Sequence, residues 1–441
     1  MAYMLRNCAG FLMKRAPILL ASMVSVSSAV GATLNASVDH GDTAWLLVSI
    51  ALVLFMCLPG LAIFYGGMVR RKNVLSVLAQ CFAVTCVVSL TWTLIGYPVV
   101  FGQWAHCGDW QCAWQATGRF AVLRGSIRGT VPEAAFLMFQ MTFAVIAPVL
   151  ALGGFAERMR FSAILIYSSL WSVFVYVPVV HWIWADGWLA HLGLMDFSGG
   201  LVVHVTSGVS ALVGAYVLGD RELRHPQPAP HSLPLVAIGG AMLWVGWFGF
   251  NGGSALAANE DAAVAILATQ IAGCAGALTW LTVESLRFRK PSVTGLLMGA
   301  VAGLVTITPA CAYVSPLGSA VMGALGSLIA FGTLRFVRAF VPVDDALDVS
   351  SIHGMAGVAG AVLTGIFAST LLGGEGFPAG HTVTQQLSVQ GIGVLVVVLW
   401  TATVSYGLLR LTDRWVGLRV DDLEEQAGLD IAEFGESGYA D

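Results

Sequence analysis

Two histidines stand inside long apolar runs of this sequence, each eight residues after an aspartate: Asp196-Phe-Ser-Gly-Gly-Leu-Val-Val-His204 and Asp345-Ala-Leu-Asp-Val-Ser-Ser-Ile-His353. Each is followed, four residues on, by a Gly-Val pair, Gly208-Val209 and Gly357-Val358. An ionisable residue at membrane depth is by default a functional-site hypothesis, and a pair in matching surroundings is a stronger one. A neutral imidazole offers one nitrogen as donor and the other as acceptor, so two rings meeting in an apolar region could share and pass a proton. Two rings merely satisfied by packing is the plainer alternative. Metal binding is disfavoured, because a zinc site wants at least a third protein ligand and no Cys or carboxylate holds a matching position in the apolar runs. Asp196 and Asp345 lie about 12 Å away along a helix. No metal and no cofactor is expected.

A second candidate is the segment Trp247-Phe-Gly-Phe250-Asn-Gly-Gly-Ser254, with Trp184 at a similar depth. Aromatic faces attract cations by about 0.5 to 2 kcal/mol, so these residues suit an outer site for a small cation. An interfacial belt of anchoring aromatics is the other reading.

The elements that position these residues are membrane helices. The chain is 57% hydrophobic and 10% charged, against roughly 25% charged in globular proteins. Its 51 glycines suit helices that approach closely in lipid. A net charge of -4 gives no reason to expect a nucleic acid partner. Eleven apolar stretches lie near 43–67, 75–100, 131–155, 161–184, 199–218, 233–253, 262–286, 292–313, 317–339, 350–372 and 387–410, each long enough to span a bilayer.

Lys and Arg cluster at 70–72, 158–160, 221–224, 287–290, 335–338 and 410–419, which all fall on one side of the membrane if eleven spans are counted; the other side holds only Arg119, Arg124 and Arg128. Positive charge marks cytoplasmic segments. The mature N-terminus is therefore expected outside and the C-terminus in the cytoplasm. His204 then lies in span five and His353 in span ten. Five spans separate equivalent points, so two five-helix repeats must be inverted relative to one another, an arrangement that places a site near the bilayer midplane. Span eleven is left as a peripheral helix. Asp196 and Asp345 stand at helix starts, where a carboxylate supports free N–H groups and the helix dipole.

Residues 1–32 read as a signal peptide, with Arg6, Lys14 and Arg15 before a short apolar stretch and small residues; an uncleaved amphipathic extension is the alternative. The membrane domain is set at 40–410 and a polar tail at 411–441, either solvated or a docking segment for a soluble partner. Cys57, Cys81, Cys86, Cys274 and Cys311 lie singly in or beside apolar runs as packing residues. Cys107 and Cys112, in a polar loop, could form a disulfide in an oxidising compartment.

Several ordered segments resemble the ammonium transporter family (Amt/Mep/Rh), specifically its Amt branch. They are Pro59-Gly-Leu-Ala-Ile-Phe-Tyr-Gly-Gly-Met-Val-Arg70, Phe139-Gln-Met-Thr-Phe143, Phe155-Ala-Glu-Arg-Met-Arg-Phe161, the two Asp–His segments, Gly246 to Ser254 and the tail from Glu424 to Tyr439. The resemblance implies an all-α integral membrane protein with eleven spans, a homotrimer in the plasma or inner membrane, and a narrow pore through each subunit. It implies a transporter of ammonium or ammonia rather than an enzyme. Phe143, Trp184 and Ser254 would recruit ammonium, Phe143 and Phe250 would close the pore, and His204 and His353 would line it. Asp196 would support the recruitment site from behind. The tail would meet a trimeric nitrogen-regulatory protein of the PII type. Leu201 departs from the family pattern, which has a small polar residue there. A passive gas channel for ammonia or carbon dioxide and an ammonium sensor signalling through its tail are the rival readings; an intramembrane metalloenzyme is a more distant one.

Overall fold

The computed structural model describes residues 37–101, 125–222 and 229–439. The signal-peptide segment, Cys107 and Cys112 fall outside them. Among the described residues, eleven helices are long and apolar enough to cross a membrane: α1 (His40–Met68), α2 (Arg71–Val100), α3 (Glu133–Phe155), α4 (Phe161–His191), α5 (Gly200–Leu218), α6 (Leu233–Gly253), α7 (Glu260–Phe288), α8 (Val293–Ala310), α9 (Pro316–Phe340), α10 (Ser350–Phe367) and α11 (Val383–Val416). They coincide with the apolar stretches read from the sequence, and α11 runs past the expected boundary at 410. Side chains at the helix starts satisfy N–H groups that the helix itself leaves free. Asn259 accepts from Ala262 and Ser315 from Gly318. Thr382 and Gln385 cap α11 reciprocally.

Burial separates centre from rim. Over its most apolar 18 residues α3 is 94% buried while α11 is 33% buried, so α3 forms the middle of the bundle and α11 flanks it.

The helices that carry the histidines cross almost backbone to backbone. A Cβ on Gly208 would lie 2.3 Å from both the Cα and the N of Gly354, and one on Gly357 would meet the Gly200 carbonyl at 3.0 Å and the His204 Cβ at 3.2 Å. The repeated Gly four residues after each His is thus the point at which α5 and α10 are allowed to touch. Gly208→Ala must push the helices apart, since the obstacle is backbone and not a movable side chain. The expected result is a loss of at least ~2 kcal/mol from overpacking, read as a large drop in thermal midpoint, whereas Gly357→Ala is tolerated better. Equal midpoints for wild type and Gly208→Ala would remove this role.

At the end of the bundle nearest the tail, charges are buried as a network. Arg221 bridges Glu157 at 2.7 Å and Asp344 at 2.8 Å, Arg70 reaches the other Glu157 oxygen at 2.8 Å, and Arg158 donates to the Asp344 carbonyl at 2.6 Å. Burial alone would raise both acids. The arginines outweigh it, so Glu157 lies below the usual carboxylate range and Asp344 is held at about 2 against an ordinary 3.8. A carboxylate depressed by folding stabilises fully above its unfolded value and loses that contribution as the pH falls through the folded one. Thermal midpoints should therefore fall between about pH 4 and pH 2 more steeply in wild type than in Asp344→Asn. Parallel curves would show that the network is not what acid dissolves.

The tail neither floats free nor waits open for another protein along its whole length: it packs on the chain itself. Asp430 accepts the Ser76 N–H at 2.8 Å, the Leu429 N–H donates to Asn73 at 2.8 Å, and the Tyr439 hydroxyl meets a His231 nitrogen at 2.8 Å.

Candidate functional site

Asp196 lies in the link between α4 and α5, buried, and builds the start of α5. One carboxylate oxygen accepts from the N–H groups of Gly199 at 3.1 Å and Gly200 at 2.6 Å; the other accepts from Leu201 at 2.9 Å and Val202 at 3.1 Å. Gly199 is needed for the turn, with φ 103° in the left-handed region where a side chain is strained. The segment that follows, Gly200–Val205, is a π-helical turn bearing His204; Ser350–Met355 is its counterpart bearing His353. Such turns displace a side chain from the regular helical face and are frequent at functional sites.

The two copies are chemically unequal. Asp345 accepts the Ser350 N–H at 2.7 Å with one oxygen, and its other oxygen is buried without a partner. Burial, with the neighbouring Asp348 charge, pushes Asp345 up to about 6. The helix-start support expected of both aspartates is strong at Asp196 and weak at Asp345.

From Trp184 inward the rings form a column. The Trp184 indole donates to the Asp196 carbonyl at 2.7 Å and stands edge-on to Phe143, centroids 5.6 Å apart. Phe143 lies 4.4 Å from Phe250, and Phe250 lies 5.7 Å from His204. His204 and His353 are near-parallel with centroids 5.3 Å apart, and their Nδ1 atoms face each other at 3.2 Å. Trp184 and Ser254 are half-buried, Phe143 and Phe250 are buried, and the Ser254 hydroxyl donates to the Phe250 carbonyl at 2.9 Å, which leaves its oxygen free to accept. The structure thus gathers the six expected residues around one path, with Asp196 behind it and Asp345 at the far end.

The segment Trp247 to Ser254 is no interfacial belt. Trp247 is buried at the level of the histidines, stacked on His204 with centroids 5.3 Å apart, and held by Thr308 at 3.0 Å. Sequence reasoning placed it at the membrane boundary because helix ends and helix middles look alike in a run rich in Trp, Phe and Gly. Leu201, where the resemblance implies a small polar residue, is buried and packs in the space left by Gly393 of α11.

Below His353 the path continues as a narrow cavity of about 20 Å³ lined by Phe64, Leu150, Trp247, Val301 and Ile352. That volume suits a single water-sized molecule and not a hydrated ion. Met298 and Leu347 are shared with a wider vestibule of about 550 Å³, which has Arg221, Glu284, Arg335 and Asp348 in its walls. The arrangement can hold a cation against aromatic edges at one end, exclude it with two packed phenyl rings, and pass a small neutral molecule along a narrow apolar channel with two facing imidazoles.

Comparisons with known proteins agree with this architecture. The family model "Ammonium Transporter Family" matches residues 44–439. An ammonium transporter of Aquifex aeolicus (strain VF5) is 43% identical, with 95% of this chain and 97% of the relative covered. The crystal structure of Saccharomyces cerevisiae Mep2 superposes with a TM-score of 0.79 at 33% identity, covering 90% of each chain. A solved structure described as "Sensor Amt Protein" gives a TM-score of 0.79 at 26% identity, covering 89% of this chain and 98% of that one. The eleven spans, the paired histidines on matching turns and the extent of these similarities show that this chain belongs to the ammonium transporter family.

Proposed function

We propose that the protein captures ammonium at Trp184, Phe143 and Ser254, that the ion gives up its proton to His204 and crosses the apolar channel as ammonia, and that His204 and His353 relay the proton, giving net electrogenic uptake. The observation that supports this most is the pair of Nδ1 atoms 3.2 Å apart in an otherwise apolar path. A bare ammonium ion among phenyl rings would lose its hydration at a cost far above what those rings return. Neutral ammonia loses little, so separating proton from nitrogen is the cheaper route. Asp196 supports the capture site from behind, and Phe143 with Phe250 acts as the gate.

Capture is placed on the outer side of a cell membrane and the vestibule on the cytoplasmic side, in keeping with the Lys and Arg distribution. A homotrimer, and a PII-type regulator meeting the tail, complete the reading. The test is ammonium-evoked current on supported membranes carrying the purified protein. A current that follows the ammonium gradient supports proton-coupled transport; ammonia flux with no current would instead establish a passive gas channel. A sensing role is the second reading, raised by the likeness to the structure described as a sensor and by the tail packed against the chain. Failure to take up methylammonium in a transport-deficient host would favour it.

A further inference from the structure

We propose that Gln390, near the start of the flanking helix α11, is a positioning residue for ammonium capture that acts through the aim of the Trp184 indole. The inference rests on the reading of Trp184 as part of the capture site. Gln390 is fully buried, although α11 is the least buried of the eleven helices. A polar amide in such a place costs free energy unless each of its groups is paired.

All of them are. The Gln390 carbonyl oxygen accepts the Met195 N–H at 2.9 Å, while its amide nitrogen donates to the Met195 carbonyl at 2.8 Å. The side chain therefore pairs with both faces of one residue, as a neighbouring strand would. The same nitrogen donates to the Ala361 carbonyl of α10 at 2.9 Å. One turn earlier Gln386, also fully buried, donates to the Gly193 carbonyl at 2.9 Å and to the Gln390 oxygen at 3.2 Å.

What these amides hold is the α4–α5 link. Met195 precedes Asp196, whose carbonyl accepts the Trp184 indole N–H at 2.7 Å. On the other side of Asp196 the Phe197 N–H is tied to the Pro309 carbonyl at 3.1 Å. The peptide that orients Trp184 is thus pinned at both flanks, by Pro309 and by Gln390. Gly193 and Leu194 rest directly on α11 as well: a Cβ on Gly393 would lie 2.6 Å from a Leu194 methyl. Freeing Met195 lets the Asp196 carbonyl tilt, and the indole turns with it, away from the edge-on contact with Phe143. The expected loss is in affinity at the mouth, since the paired bonds of Gln390 to Met195 hold the link that aims Trp184.

The experiment compares wild type, Gln390→Leu, Trp184→Leu and the double variant as purified full-length proteins in liposomes, with current read against ammonium concentration. Gln390→Leu should raise the half-saturating concentration about tenfold, with maximal current within about twofold of wild type. In the Trp184→Leu background the same change should add nothing, because its effect passes through the indole. An unchanged half-saturation in Gln390→Leu, a fall confined to maximal current, or shifts that multiply in the double variant would each overturn the proposal while leaving the capture site intact. An unshifted Trp184→Leu overturns the capture reading, and the inference with it. Should Gln390→Leu fail to give monodisperse protein, Gln390→Glu serves: its carboxylate still accepts from Met195 but donates to neither carbonyl. The same tenfold shift supports the proposal, and wild-type behaviour overturns it.

Discussion

Ammonium-evoked current falls at least about 100-fold when His204→Ala and His353→Ala are combined, with the protein still folded and monodisperse. The size of the effect follows from what surrounds the pair. Above it stand Phe250 and Phe143, beside it Trp247, and below it an apolar cavity; none of these can accept a proton. Removing both rings leaves a gap that water could enter, yet a water chain in apolar walls cannot hold the charge at a defined point. The single variants should differ. His204 is enclosed completely and stacked on Trp247, while His353 borders the cavity, so His204→Ala disturbs packing more and His353→Ala reports more directly on the relay. Normal current in the double variant would leave both rings as lining and end the relay reading.

The second large effect is at Asp196. Asp196→Ala strands the four N–H groups of Gly199 to Val202 in a buried site. Each unpaired buried donor costs roughly 1 to 3 kcal/mol, and these four belong to the turn that presents His204. The expected outcome is a severe loss of folded protein, with any surviving fraction defective in transport. Asp196→Asn separates the two effects, since its single amide oxygen can still accept from part of the turn: it should recover folding more than uptake. Asp345→Ala should be far milder, because that carboxylate accepts the Ser350 N–H with one oxygen and leaves the other unpaired. Normal uptake by Asp196→Ala, or equal damage from the two alanine variants, would show that the first aspartate is not the support described.

The contrast between these aspartates marks the limit of what the sequence could tell. Polar residues stand out when everything around them is apolar, so His204, His353 and the two aspartates were visible by contrast alone, and the odd number of spans between them imposed the inversion. Their unequal burdens were not visible. How many N–H groups a carboxylate meets depends on the turn, and the two turns differ in residues that read as equivalent filler. Trp184, Phe250 and Ser254 stood out as an outer site for a small cation, but their separate roles, and Phe143 altogether, came from the resemblance, because no spacing rule links rings that come from α3, α4 and α6. Trp247 was seen but placed at the wrong depth. Gln386 and Gln390 went unread, since an amide on a helix that faces lipid has no periodic signature and the partners that matter here, at Gly193 and Met195, are backbone atoms almost 200 residues away. The tail resisted for a similar reason: its acidic composition is what solvation requires, and only the positions of Asn73, Ser76 and His231 show where it rests.

The facing Nδ1 atoms carry one more consequence. Two like nitrogens can share a hydrogen bond only if one holds the hydrogen and the other does not, so the pair always points one way along the path. A proton that enters at one ring and leaves from the other reverses that polarity, and a second cannot follow until both rings have exchanged their hydrogens between nitrogens. The channel would then behave less like a wire than like a turnstile, admitting one proton for each reset and keeping the traffic of charge in step with single molecules of ammonia.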